Sequence, residues 1–70
     1  MKGIELVKRL KALGKSRGVN MKLVKERGKG SHATLYYGDK RAIIPNLKDE
    51  LKSGTLAAIL KQLGLKLSDL

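Results

Sequence analysis

The feature that most constrains this chain is a change of apolar period, from three or four residues to two and back again, inside 70 residues. Near the amino-terminal end Ile4, Val7 and Leu10 fall at three-residue steps, and Leu6, Leu10 and Leu13 extend the stripe. Lys8, Arg9 and Lys11 lie largely on the other side. A period near 3.6 gathers on one face of a helix, so this spacing predicts an amphipathic helix over residues 3–13. Gly14 is the expected stop, because glycine enters the left-handed conformation without steric cost. Residues 15–20, with Gly18 and Asn20 as breakers and no helical stripe, are expected to form a loop.

The middle of the chain alternates instead. Met21 and Leu23 stand against Lys22 and predict a strand over residues 21–27, with Val24 out of step. Ala33 and Leu35 stand against His32, Thr34 and Tyr36 and predict a strand over 31–37. A third strand is expected over 40–44, closed by Pro45. Gly28-Lys29-Gly30 and Gly38-Asp39 are the tight turns between them, which suits an antiparallel meander. A polar connection carrying Leu47 and Leu51 follows. The helical period then returns in Leu56, Ile59, Leu60 and Leu63 and predicts a helix over 55–63, with Thr55 as its N-cap. Gly64 should end it and Leu65 fold back on the last turn, while residues 66–70 carry no clear pattern and are expected to fray or reach a partner.

The predicted order is helix, three strands, helix. Three strands with one apolar face need a cover, which two helices supply, so the expectation is one α+β domain over residues 1–70. Its three-stranded antiparallel sheet carries both helices on one face. The other sheet face stays open, with His32, Thr34 and Tyr36 on it.

Size and composition then limit what such a domain can do. A domain of about 60 residues buries only ~60% of the surface of its unfolded chain, so it cannot enclose a large substrate and must read one on an open face. The chain has no Cys and one His, which excludes a disulfide frame, a thiol nucleophile and a multi-histidine metal centre. No metal or cofactor is expected. Sixteen Lys and Arg against six Asp and Glu leave a formal charge of +10, which attracts polyanions. Membrane binding would call for a basic helix with large apolar anchors, and here the Leu, Ile, Val and Ala stripes are needed for the core. Nucleic acid is therefore the expected partner rather than membrane. The start of the chain shows no unbroken apolar targeting segment, and a cytoplasmic location is expected.

Two segments carry a family resemblance. Gly28-Lys29-Gly30-Ser31-His32 is similar to the glycine-serine-histidine signature of the HicA family. Leu51-Lys52-Ser53-Gly54-Thr55-Leu56, continuing through Ala57-Ala58-Ile59-Leu60-Lys61-Gln62-Leu63-Gly64-Leu65, resembles that family's closing stretch. The opening Glu5-Leu6-Val7-Lys8-Arg9-Leu10 is similar as well. The chain departs from the family pattern in its polar loop after the first helix, in Ala33 where many members have a second His, and in Ser53 where a proline is common. The resemblance implies a double-stranded-RNA-binding-domain-like fold. It also implies the toxin half of a type II toxin–antitoxin module: an mRNA endoribonuclease that needs neither ribosome nor metal, held inactive in a hetero-oligomer by a HicB-like antitoxin. By position, the family's catalytic histidine falls on His32.

The residues are compatible with that chemistry. RNA carries its own nucleophile, the 2′-hydroxyl beside each phosphate. Cleavage then needs a base for that hydroxyl, stabilisation of the phosphorane and a proton for the leaving 5′-oxygen. Imidazole suits the proton steps because it ordinarily titrates near working pH. Gly28 and Gly30 let backbone approach a phosphate, and Ser31 can add a hydroxyl donor. Lys29 is the leading phosphate contact, with Arg27 and Lys25 beside it. The second proton donor is open among Lys29, Tyr36, water and His32 acting in turn.

By default Gly28-Lys29-Gly30 is simply a hairpin turn, and Tyr36 and Tyr37 are packing residues. Lys22, Lys25, Arg27, Lys40 and Arg41 are by default a solvated edge, although their gathering on adjacent strands favours an RNA face. Two non-enzymatic readings therefore stand beside the ribonuclease: a non-catalytic RNA-binding module, and a regulatory domain whose positive surface docks an acidic antitoxin.

Overall fold

The computed structural model describes residues 1–25 and 32–70. Helix α1 runs Gly3–Arg17, followed by strands β1 (Met21–Lys25), β2 (Ala33–Tyr37) and β3 (Lys40–Ile44), helix α2 (Ser53–Gln62) and a short 3-10 turn (Leu67–Asp69). The strands form one antiparallel sheet in the order β1-β2-β3. The expected α+β layout is what the chain adopts.

Alternation decides which sheet face is covered. Ala33, Leu35 and Tyr37 of β2 and Ala42 and Ile44 of β3 are buried, in one cluster with Leu6, Val7 and Leu10 of α1 and Ile59 and Leu60 of α2. α1 packs on β1 and α2 on β3. The opposite face carries two cross-strand rows, Lys22–Tyr36–Arg41 and Val24–Thr34–Ile43. Val24, Tyr36 and Ile43 are left exposed there. At the turn between β2 and β3, Gly38 has φ 62°, a value that glycine adopts without strain.

The first helix is longer than its pattern predicts. It passes through Gly14 and stops only at Gly18, which has φ 69°. The amides of Gly18 and Val19 both donate to the Gly14 carbonyl, the latter at 2.7 Å. Gly14 is glycine for a packing reason: a Cβ there would lie 2.8 Å from the Val19 carbonyl oxygen and 3.5 Å from the Tyr37 ring. A residue read as a helix stop is thus a close-approach site, and the first half of the expected loop over 15–20 is helix.

The second helix also starts early. The Leu56 amide already donates to the Lys52 carbonyl, so Lys52 is the N-cap and Thr55 lies within the first turn rather than capping it. Its far end behaves as expected. Gly64 has φ 72°, and Leu65 folds back, buried, with its amide on the Leu60 carbonyl. The tail does not fray. Asp69 Oδ2 accepts from the Lys66 amide at 2.8 Å, and Oδ1 accepts from Arg17 Nη2 at 3.1 Å, which ties the last turn to α1. Of the strands, β3 has its expected bounds; β2 begins at Ala33, so His32 falls just outside the strand expected over 31–37, and residues 26–27 and 31 lie outside the described residues. Among the described residues no helix is long and apolar enough to cross a membrane.

Candidate functional site

The geometry at His32 follows from strand register. The turn at Gly38-Asp39 sets Tyr37 opposite Lys40, and the ladder runs to Ala33 opposite Ile44. Residue 32, just before β2, therefore stands across from the chain leaving β3 at Pro45. On the other side Ala33 pairs with Lys25, the last residue of β1. His32 is consequently placed among the ends of all three strands and the start of the connection to α2.

That connection, residues 45–52, is an ordered loop. Asn46 Oδ1 accepts from the Lys48 amide at 3.0 Å, an Asx turn, and Asn46 Nδ2 donates to Asp49 Oδ2 at 2.6 Å. Its backbone caps α1. A helix begins with amides that lack intrahelical partners. Here the Ile4 amide donates to the Leu47 carbonyl at 2.8 Å and the Gly3 amide to the Asp49 carbonyl at 3.2 Å. Gly3 permits the contact, since a Cβ there would come within 2.4 Å of the Asn46 carbonyl oxygen. Farther along, the Leu51 amide donates to the Met1 carbonyl, and Lys2 and Glu50 pair through their backbones in an isolated antiparallel β-bridge.

Between this loop, the start of α1 and the strand ends lies a cleft of about 600 Å³, lined by Ile4, Lys25, His32, Asn46, Leu47, Lys48 and Asp49. His32, Lys25 and Lys48 are exposed to solvent, and Ile4 supplies apolar surface beside Leu47, which is mostly buried. The combination is an open cationic cleft with one imidazole. It suits an anion carried on an apolar body better than a free inorganic ion.

The expected site residues divide accordingly. Lys25 and His32 are brought together. Arg27, Lys29, Gly30 and Ser31, and with them the expected phosphate-cradling turn at 28–30, lie outside the described residues. His32 immediately precedes β2 and lines this cleft with Ile4 of α1, while Thr34 and Tyr36 line a second groove with Arg41, Ala42, Ile43 and Gln62. Lys22 and Arg41 flank Tyr36 in one row of the open face, whereas Lys25 belongs to the opposite parity at the sheet's end. Tyr37 is core, and Tyr36 alone of the two tyrosines faces solvent.

Ile4, Asn46, Leu47, Lys48 and Asp49 were not legible as site residues by motif. A signal for them existed in hairpin arithmetic: a two-residue turn at 38–39 places residue 32 opposite 45, so whatever follows Pro45 must neighbour His32.

Comparison with known proteins agrees with the local signature. A family model described as the HicA toxin of bacterial toxin–antitoxin systems matches residues 3–65, spanning both helices and the whole sheet. No curated protein and no solved structure matches the chain significantly. With the match covering nearly the full length and the α-β-β-β-α order in place, the chain belongs to the HicA family of toxins from bacterial toxin–antitoxin modules.

Proposed function

We propose that this toxin is an mRNA endoribonuclease of the cytoplasm, with His32 as its acid–base residue and a HicB-like antitoxin as its inhibitor. The observation that carries the reading is the position of His32: solvent-exposed, in an open cleft, with Lys25 and Lys48 in the same lining. An imidazole sealed beneath the helices could not reach a polynucleotide. This one can.

In the reaction His32 takes the proton of a ribose 2′-hydroxyl, and the freed oxygen attacks the adjacent phosphorus. A bond forms from O2′ to phosphorus and the bond from phosphorus to O5′ breaks. O5′ takes a proton from a general acid, either the protonated His32 or water. Lysine ammonium groups stabilise the charge that builds on the phosphorane oxygens. An acid–base residue of this kind typically contributes ~10²–10⁴-fold in rate, which suffices for a toxin that need not be a fast enzyme. Arg27, Lys29, Gly30 and Ser31, the remaining expected site residues, would add further contacts to the phosphate.

The test is cleavage of RNA by the purified chain in EDTA. The reading predicts strand scission by the parent and none by His32→Ala, which still binds RNA. Binding without scission by the parent would instead select the non-catalytic RNA-binding module.

A further inference from the structure

The residues facing His32 across the cleft belong to the β3–α2 connection, and the mechanism above gives that loop no part beyond the charge of Lys48. Its construction argues for more. The loop is fixed at both levels, by its own Asx turn and Asn46–Asp49 hydrogen bond and by its carbonyls on the first amides of α1. A linker that merely joined β3 to α2 would not need Gly3 to make room for it. The side chains it holds at the cleft are a cation, Lys48, and an apolar one, Leu47, next to Ile4 of α1. Ile4 is 39% exposed, one of few large apolar side chains on the described surface to be so. The Asp49 carboxylate accepts from the Asn46 amide at 2.6 Å, so the one acid among the described lining residues is engaged within the loop. A volume of about 600 Å³ lies within the ~300–1,000 Å³ range of small-ligand sites.

We propose that this connection is the second wall of the RNA site, and that Lys48 is a substrate-contacting residue. Lys48 holds a backbone phosphate from the side opposite Lys25, and the nucleoside attached to that phosphate lies over Ile4 and Leu47. The inference rests on the ribonuclease reading and deepens it. It places substrate between the sheet end and the α1-capping loop, not across the open sheet face where Lys22, Tyr36 and Arg41 lie. Because the loop is tied to α1, the backbone that carries Lys48 is in place before substrate arrives, which favours positioning.

The experiment uses the full chain and one short single-stranded RNA that the parent cleaves or, failing cleavage, binds. Affinity is measured by fluorescence anisotropy in the His32→Ala background, with and without Lys48→Ala. Single-turnover rates are measured against protein concentration for the parent, Lys48→Ala, Lys48→Arg and Lys61→Ala. Lys61→Ala removes the same charge from α2, outside the cleft lining. Loss of one charge-assisted contact predicts that Lys48→Ala weakens binding about tenfold and raises the half-saturating concentration by a similar factor. Lys48→Arg should restore most of the loss, because guanidinium also grips phosphate. Lys61→Ala should change either quantity less than about twofold. If Lys48→Ala matches Lys61→Ala in both assays, the wall is not an RNA contact and the proposal fails, including the case in which the cleft receives an antitoxin side chain instead. A parent that cuts no RNA would defeat the ribonuclease reading alone, and the binding pair would still decide the subsite.

Discussion

His32 owes its place to the residue that follows it. Ala33 is fully buried and stands in register with both Lys25 and Ile44, so the strand cannot slip without turning a buried methyl to solvent. That fixes the point at which the chain leaves the sheet and presents the imidazole. A second residue shows the opposite situation. Among the described residues, the Tyr37 hydroxyl is buried with no hydrogen-bond partner. A buried donor left unsatisfied costs about 1–3 kcal/mol, whereas the ring itself packs against Gly14 and is worth keeping. Tyr37→Phe should therefore stabilise the fold by about 1 kcal/mol, read as a higher urea midpoint at unchanged slope. A lower midpoint would mean that the hydroxyl is satisfied after all. The local signature Gly-Lys-Gly-Ser-His made His32 legible at this scale. Lys48 was not, because no motif marks it and its place near His32 follows only from strand register across the 38–39 turn.

At the scale of elements, periodicity located every helix and strand but misplaced two helix ends. At the first a glycine was read as a stop, and at the second Thr55 was read as the N-cap that Lys52 is. Gly14 serves packing, and Gly54 sits in the first turn of α2, where nothing lies within 4 Å of its missing Cβ. The first of these can be tested by weighing two opposed effects. Replacing an interior helical glycine with alanine gains about 1 kcal/mol of propensity. A methyl 2.8 Å from the Val19 carbonyl oxygen forces backbone to move, and overpacking of that kind typically costs about 1–3 kcal/mol. Gly14→Ala should lower stability by about 1 kcal/mol, and a rise in thermal midpoint would show that the α1–β1 junction is looser than its geometry indicates. The tail is held by charge. The Lys66 amide, and then the Arg17 guanidinium, hold the Asp69 carboxyl below its ordinary value of 3.8. A carboxyl lowered by folding contributes stability that is full above that ordinary value and is lost as pH falls through the folded value. The stability difference between the parent and Asp69→Asn should thus be largest near neutrality and shrink below about pH 4, as measured by denaturant titration across pH. A difference that persists at pH 2 would mean that the clasp does not depend on ionisation.

The whole molecule is a positively charged plate with one sheet face covered and one open. Its formal charge of +10 draws any polyanion close without choosing a spot on the surface. The choice comes from shape. Only at the end of the sheet do the described residues combine a cleft, an apolar floor, two lysines and an imidazole. Membership of a toxin–antitoxin family implies a protein partner as well, and a partner that filled this cleft would silence the site by occlusion. Everything turns on whether the imidazole performs chemistry, and a single-turnover time course on one defined RNA, in EDTA, with parent and His32→Ala at saturating protein, measures that directly. The predicted result is a fall of at least about 10²-fold in the cleavage rate with RNA binding retained. Equal rates for the two proteins would contradict it.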